Sequence, residues 1–133
     1  MACEARIHVD SDRDVVEARR KGREAARQAK LNDGDAALVA AAISELARNV
    51  LLYAGEGDIL ISAVENGICR GIVVTAADRG PGISNIDLAM QDGYSTSGGL
   101  GLGLPGVKRL MDEFDVTSET GQGTTVVAKK WAT

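Results

Sequence analysis

The chain has 133 residues, a formal net charge of -4 and a sequence pI near 5.0, and 44% of its residues are hydrophobic. This size and balance are typical of one soluble globular domain, so we expect a single domain over residues 1–133. An acidic chain with only 3% aromatic residues lacks the basic surface and the stacking side chains of nucleic-acid binders, which argues against that class.

The first part of the chain predicts a strand followed by a helix. Apolar and polar residues alternate over residues 3–9, which is typical of a short half-buried strand. Residues 14–30 are acidic first and basic later, which suits a helix dipole, and residues 10–12 offer N-cap oxygens. Small residues form a narrow stripe that predicts close packing, at Val15, Ala18, Gly22, Ala25, Ala26 and Ala29.

The second predicted helix is the strongest in the sequence. Asn-Asp-Gly at residues 32–34 ends the first helix, and residues 35–53 are rich in alanine and leucine, which favour helices. Its apolar residues follow helical spacing at Leu38, Ala41, Ala42, Leu46 and Val50.

A change of periodicity after residue 58 predicts a β-hairpin. Asn66-Gly67 is a strong signal for a two-residue turn because both residues tolerate left-handed backbone angles. Apolar strand residues flank this pair at Ile59, Ile61, Ala63, Ile68, Val73 and Val74.

A glycine-rich tract occupies residues 80–106, and a short helix candidate at residues 85–91 interrupts it. Proline is tolerated in the first turn of a helix, so a further helix is predicted to begin near Pro105 and to extend to about Phe114.

Residues 116–119 and 124–131 predict two closing strands. The order of elements predicts an α+β fold, a two-layer sandwich with helices on one face of a mixed β-sheet. The sequence contains neither an uninterrupted membrane-spanning apolar run nor a basic-then-apolar leader, so we expect a cytoplasmic protein with no membrane partner.

Cysteine and histidine are scarce in this chain. Cys3 and Cys69 lack CxxC spacing, and His8 is the only histidine, so the sequence offers little for a zinc site or a disulfide framework.

Glu45 and Asn49 lie four residues apart near the end of the second predicted helix, so their side chains share one face. A carboxylate and a carboxamide at this spacing could orient a nucleophile and hold a hard cation such as Mg²⁺. The alternative is a pair on a solvated helix face, which is the commoner situation for such residues taken alone.

Asp78 follows the apolar strand predicted at residues 72–77 and precedes Gly80 and Gly82. An aspartate at a strand end can accept a hydrogen bond from an exocyclic amine while bare glycine backbone approaches a flat ring. The alternative is a plain β-turn, for which Asp, Pro and Gly are favoured residues.

The third tract, residues 94–106, leads directly into a helix. Inward-facing backbone amides and the positive end of a helix dipole make a cradle suited to phosphates. The alternative is a linker, which rarely leads straight into an amphipathic helix. Gly101, Gly103 and Gly106 also fit the dinucleotide pattern G-x-G-x-x-G, but the preceding residues are too polar for the buried strand that it requires. No Gly-Lys-Ser/Thr occurs, which excludes a Walker A loop.

Residues 121–124, Gly-Gln-Gly-Thr, are by themselves only a hairpin turn. In this order, however, the four tracts resemble the N box, the G1 and G2 boxes and the last glycine box of the GHKL (Bergerat-fold) ATPases. That family includes gyrase, Hsp90, histidine kinases and anti-sigma-factor serine kinases. The sequence around the boxes is similar to those of the anti-sigma-factor-type serine/threonine kinases and the stressosome switch kinases. The match spans essentially the whole chain.

The resemblance implies that residues 1–133 form one ATP-binding kinase domain that uses ATP and Mg²⁺. Asn49 would coordinate the Mg²⁺ that bridges the ATP phosphates, and Glu45 would act as the general base. A serine hydroxyl is a poor nucleophile, so a base and charge neutralisation suit phosphoryl transfer.

The resemblance also implies an adenine pocket and a lid. Asp78 would bind the adenine amino group, Gly80 and Gly82 would let the ring approach, and Thr124 would support the pocket through hydrogen bonding. The glycines of the ATP lid and phosphate cradle would be Gly99, Gly101 and Gly103.

The length of the chain, 133 residues, argues against the members of the family that need a further domain. Gyrase-like and Hsp90-like ATPases use a second domain, and histidine kinases use a helical domain that bears the acceptor histidine. Histidine kinases also tend to carry a basic residue shortly after the box asparagine, where this chain has Leu51 and Leu52. We therefore expect the phosphate acceptor on another protein.

By resemblance, the chain would be an ATP-dependent protein serine/threonine kinase and a partner-switching regulator in bacterial stress signalling. Its substrate would be a STAS-domain protein of a stressosome-like scaffold, and the freed kinase would then bind a downstream phosphatase or other effector. Two alternatives stay open: a nucleotide-sensing anti-sigma or scaffold-binding module with little or no kinase turnover, and an α+β domain without a ligand.

Overall fold

The computed structural model describes residues 4–81 and 103–132, which form a five-stranded sheet and three helices. The strands are β1 (Glu4–Val9), β2 (Gly57–Asn66), β3 (Cys69–Asp78), β4 (Glu113–Glu119) and β5 (Gly123–Trp131). The helices are α1 (Asp12–Gln28), α2 (Asp33–Ala54) and α3 (Gly103–Leu110). The predicted α+β fold is confirmed, whereas Cys3 and the helix predicted at residues 85–91 lie outside the described residues.

The described strands lie in the order β1-β2-β3-β5-β4, and all four neighbouring pairs are antiparallel. The predicted mixed sheet is therefore wrong for this part of the chain. The connection through α3 does make β4 run in the same direction as β3. However, β5 lies between these two strands and pairs with both, so they do not become neighbours.

The core lies on the face of the sheet that the helices cover, as predicted. Ile59 and Ile61 of β2 are fully buried beneath them, while Leu60 between these residues points to the open face and is exposed. α1 and α2 pack against each other and against the sheet, with Gly22 of α1 against Ile43 of α2. The buried residues of α1 belong to the predicted small-residue stripe and are Val15, Ala18, Gly22 and Ala26.

The ends of two helices differ from the prediction. The Asn32 side-chain Oδ1 accepts a hydrogen bond from the Asp35 amide at 2.7 Å, so the tract that ends α1 also caps α2. α3 ends at Leu110 rather than near Phe114, because Phe114 pairs with Ala128 as part of β4.

The turn between β2 and β3 lies one residue later than predicted. Asn66 pairs with Cys69, so Gly67 and Ile68 form the two-residue turn. Gly67 has a φ of +66°, which suits glycine at the first central position of a hairpin turn. Ile68, predicted as a strand residue, is 99% exposed at the tip.

α2 is the one helix in the described residues that is long and apolar enough to cross a membrane, with a mean hydropathy of 1.4 over its most apolar stretch. Its apolar stretch is not uninterrupted, because Glu45 and Arg48 lie within it, and the sequence therefore did not predict a span there. Half of that stretch is buried inside the protein, as in the core helix of a globular domain.

Truncation of Leu46 tests how far α2 stabilises the core. Leu46 is 1% exposed, and we expect Leu46→Ala to lower the free energy of unfolding by about 2–5 kcal/mol because it leaves a cavity. Leu52 on the same helix is 53% exposed, so Leu52→Ala is expected to change the free energy of unfolding by less than about 0.5 kcal/mol. Urea denaturation of the two variants measures the difference, and equal losses would contradict the assignment of Leu46 to the core.

Candidate functional site

The C-terminal half of α2 carries the two polar residues predicted to handle phosphate chemistry. The Glu45 side chain is 14% exposed, and its Oε1 accepts a hydrogen bond from Arg48 Nη1 at 2.9 Å. Asn49 lies one turn further along and is partly buried, and its carboxamide makes no hydrogen bond to the residues at 4–81 and 103–132. A carboxylate and an unpartnered carboxamide oxygen on one helix face are ligands that fit a hard cation such as Mg²⁺.

Asp78 ends β3 on the helix-covered face of the sheet, and its carboxylate is held by two backbone amides. Its Oδ1 accepts hydrogen bonds from the Gly80 amide at 2.9 Å and from the Thr124 amide at 3.3 Å. Within the part of the chain that the structure describes, Oδ2 makes no hydrogen bond. The carboxylate is therefore fixed through one oxygen, and the second is left to accept from a ligand.

Close packing brings the end of α2 to the loop that follows Asp78. A Cβ atom built on Gly80 would lie 2.6 Å from Ala54 Cβ, closer than side chains approach each other. A Cβ on Gly57 would lie 2.8 Å from Val50 Cγ1 and 3.1 Å from Asp78 Cβ. The turn of α2 that follows Asn49 thus lies against the same loop as Asp78, which puts these two predicted tracts at one end of the sheet.

The hairpin between β4 and β5 supports the same loop from the other side. Thr124 pairs with Asp78 across the sheet, and its hydroxyl hydrogen-bonds with Ser118 Oγ at 2.8 Å. The Gly121 amide donates to the Pro81 carbonyl oxygen at 2.6 Å. Two residues that are 46 positions apart in sequence, Asp78 and Thr124, therefore share one hydrogen-bond network.

Gly123 is required where this hairpin meets the Asp78 loop. It has a φ of +110°, and an added Cβ would collide with the Asp78 carbonyl oxygen and lie 2.9 Å from Arg79 Cα. Gly121 also has a positive φ, +81°, but an added Cβ there would meet open space. Substitution of Gly121 would therefore cause backbone strain alone, whereas substitution of Gly123 would cause both backbone strain and a steric clash.

We expect Gly123→Ala to destabilise the fold by about 1–3 kcal/mol more than Gly121→Ala, because only the first substitution forces the Asp78 loop to move. Urea denaturation measures the stability of both variants, and fluorescence titration with ADP measures nucleotide affinity. Equal stability and affinity in the two variants would contradict a close approach between Gly123 and the Asp78 loop.

α3 brings one residue of the predicted lid into the described structure. Gly103 begins this helix with a φ of +66°, and the helix packs against α2. The other predicted lid and loop glycines, Gly82, Gly99 and Gly101, lie outside the described residues. The structure therefore places Glu45, Asn49, Asp78, Gly80, Gly103 and Thr124, and it leaves their functional roles as predictions.

Three residues that shape this end of the sheet were not predicted as site residues, although one of them, Gly123, belongs to the last glycine tract. They are Ala54, which contacts the Gly80 backbone; Ser118, which holds the Thr124 hydroxyl; and Gly123, which touches the Asp78 loop. A glycine inside a strand does signal close approach of another backbone, so Gly123 carried a usable signal. The other two depend on contacts between distant segments and leave no local pattern.

Comparison with known proteins identifies the family of this chain. The family model described as "Histidine kinase-, DNA gyrase B-, and HSP90-like ATPase" matches residues 34–132. The chain is 50% identical over 125 residues to the serine/threonine-protein kinase RsbT of Bacillus subtilis, and the match covers 94% of both chains.

More distant similarity extends to anti-sigma F factors. The chain is 34% identical over 96 residues to that of Clostridium kluyveri, covering 69% of this chain and 68% of the relative. It is 38% identical over 96 residues to that of Geobacillus thermodenitrificans, covering 66% and 64%. With the family model matching 99 residues (34 to 132) out of 133, the chain belongs to the histidine kinase-, DNA gyrase B- and HSP90-like ATPase family.

Proposed function

We propose that this protein is an ATP-dependent serine/threonine kinase whose phosphate acceptor lies on another protein. The observation that carries this proposal is the Asp78 carboxylate, which is fixed through Oδ1 and offers Oδ2 at the end of the sheet where α2 presents Asn49. The similarity to a serine/threonine-protein kinase over 94% of the chain supports the reaction type.

The residues of α2 would handle the phosphates. Asn49 would contribute a ligand to Mg²⁺, which when bound would neutralise charge on the ATP phosphates. Glu45 would accept the proton from the acceptor hydroxyl, and its contact with Arg48 at 2.9 Å holds the carboxylate in place. Gly103, at the start of α3, would belong to the phosphate cradle together with Gly99 and Gly101.

The Asp78 loop would recognise adenine. Oδ2 of Asp78 would accept a hydrogen bond from the 6-amino group of the ring, and the backbone of Gly80 and Gly82 would lie beside the ring. Thr124 would keep the acceptor aligned, because its amide donates to Oδ1 of Asp78. An ionised carboxylate can only accept hydrogen bonds. Asp78 would therefore select a base that carries a hydrogen-bond donor at position 6 of the ring.

The reaction would be an in-line phosphoryl transfer. The acceptor serine or threonine oxygen would form a bond to the γ-phosphorus as the bond from that phosphorus to the β–γ bridging oxygen breaks. The hydroxyl proton would pass to Glu45, and the electron pair of the broken bond would leave with ADP. The enzyme contributes position and electrostatics, since little covalent chemistry is left for the protein.

We further propose that the kinase is a cytoplasmic partner-switching regulator in bacterial stress signalling. Its substrate would be a STAS-domain protein of a stressosome-like scaffold, and a new phosphate would weaken their interface through added charge. The released kinase would then bind a downstream phosphatase or other effector. Similarity to proteins named anti-sigma F factors supports a regulator that binds partners, and it also supports the second candidate, a nucleotide-sensing binding module with little turnover.

Phosphate transfer with a base variant tests the proposal. Purified protein is incubated with Mg-ATP and a STAS-domain protein encoded in a neighbouring gene, and mass spectrometry locates the phosphosite. We expect Glu45→Gln to keep nucleotide affinity and to lower the transfer rate about 100-fold, because a carboxamide cannot accept the proton.

Arg48→Ala is the matched control on the same helix face, since it removes one contact of the Glu45 carboxylate and keeps the carboxylate itself. Transfer by Glu45→Gln at the wild-type rate would refute the role of the base. ATP-dependent capture of the STAS protein without any transfer by the wild-type protein would favour the binding module.

A further inference from the structure

A second group of metal-ligating side chains lies at the β1 edge of the sheet, on segments that the kinase site does not use. His8 lies on β1, Asp10 follows that strand, and Glu56 lies in the turn between α2 and β2. One ligand atom from each of these three exposed residues lies within 4.8 Å of the other two. An imidazole and two carboxylates from three separate segments therefore converge on one point.

The imidazole of His8 is already oriented for coordination. Its Nδ1 lies 3.1 Å from Asp58 Oδ1, and its Nε2 lies 3.4 Å from Glu56 Oε2. Histidines that bind metals usually donate the other ring N–H to a carboxylate, which fixes the tautomer. Nδ1 of His8 faces such a carboxylate, so Nε2, beside Glu56, is the nitrogen that would coordinate the metal. Asp58, which is not itself one of the three ligands, provides that carboxylate, and Arg6 holds Asp58 from the other side at 3.2 Å.

The charge around His8 also favours a cation. Asp14 adds a fourth carboxylate, accepting hydrogen bonds from the Asp10 amide at 3.0 Å and from Ser11 Oγ at 3.1 Å. The group thus contains four carboxylates against one imidazole and the Arg6 guanidinium, which leaves an excess of negative charge.

We propose that His8, Asp10 and Glu56 form a binding site for a divalent transition-metal cation, with Asp58 as a positioning residue. Mixed nitrogen and oxygen ligands suit Zn²⁺ or Co²⁺ better than Mg²⁺ or Ca²⁺, which prefer oxygen alone. The site is separate from the pair on α2. Histidine and cysteine are scarce, so the sequence predicted little for zinc, whereas two of these ligands are carboxylates brought in from distant segments.

The bound cation would tie three segments together. It would link β1, the turn into α1 and the turn after α2, and this last turn is next to Gly57, which pairs with Asp78. A ligand that binds only the folded state stabilises it by an amount that grows with the logarithm of the ligand concentration, so Zn²⁺ is expected to raise the melting temperature.

Zinc titration of the metal-free, untagged chain tests the site without nucleotide. The parent for every comparison carries serine at both cysteines, so that thiols contribute nothing. We expect one Zn²⁺ per chain, with binding at least 10-fold weaker in His8→Gln and about 10-fold weaker in Asp58→Asn. Glu24→Gln, an exposed carboxylate on α1, is the matched control and should bind zinc like the parent.

Nuclear magnetic resonance adds a direct readout, because His8 is the only histidine and its ring signals are unique. Co²⁺ is expected to shift these signals and not those of Trp131. Zinc binding that is equal in His8→Gln and the parent would overturn the proposal. The proposal would also be overturned if zinc bound the native chain and not the parent without cysteines. An absence of binding up to millimolar Zn²⁺ would overturn it as well.

Discussion

Replacement of Asn49 by alanine is expected to abolish phosphate transfer, with a fall in rate of roughly a thousandfold or more. The carboxamide is partly buried on the face of α2 that also carries Glu45, and it makes no hydrogen bond to the described residues. In the proposed mechanism its oxygen would bind Mg²⁺, and its removal would take away the ligand by which the protein positions charge neutralisation at the phosphates.

Metal dependence distinguishes this role from a general loss of structure. Binding of a fluorescent ATP analogue to the wild-type protein should weaken when EDTA removes Mg²⁺, and binding to Asn49→Ala should already be weak and respond little to EDTA. Asn66→Ala removes the same group at the hairpin end of β2 and should transfer phosphate normally. Metal-dependent binding and transfer by Asn49→Ala at wild-type levels would contradict the assignment.

Local patterns in the sequence predicted most of the elements, because each element depends mainly on its own residues. Alternation gave β1, helical spacing gave α2, and a glycine at the turn gave the β2–β3 hairpin to within one residue. The prediction of a mixed sheet, which requires a parallel pair of strands, was wrong for a different reason. The insertion of β5 between β3 and β4 is decided by packing across the whole sheet, and no short segment encodes it.

The candidate site could be predicted only as four separate tracts until a family pattern joined them. Asp78 and Thr124 are far apart in sequence, and the hydrogen bond between them results from the pairing of β3 with β5. The tight approach of Gly80 to Ala54 likewise depends on where α2 ends. Neither contact can be deduced from residue type and spacing, because each needs the tertiary arrangement of two elements.

Asp78→Asn is expected to keep the fold and to lose adenine affinity by roughly a thousandfold. An asparagine oxygen can still accept from the Gly80 and Thr124 amides, which both bind Oδ1 in the native protein. These two bonds fix the orientation of the carboxamide, so its NH₂ group takes the position of Oδ2. A donor would then face the 6-amino donor of adenine. The loss of a charge-assisted bond of about 1.5–3 kcal/mol and the cost of an unpaired donor, about 1–3 kcal/mol, together give about 4 kcal/mol, which corresponds to roughly a thousandfold.

A nucleotide with the opposite hydrogen-bonding group at position 6 makes this prediction specific. Inosine triphosphate carries an oxygen there, which repels the native carboxylate and accepts from the new NH₂ group. We therefore expect the wild-type protein to prefer ATP and Asp78→Asn to prefer inosine triphosphate, as measured by competition against a fluorescent ADP analogue.

Asp78→Ala is the matched control. It removes the bonds to Gly80 and Thr124 as well, so it should lose affinity for both nucleotides and destabilise the fold by about 3 kcal/mol or more. If Asp78→Asn kept the wild-type preference for ATP, Asp78 would not be the group that recognises the adenine amino group.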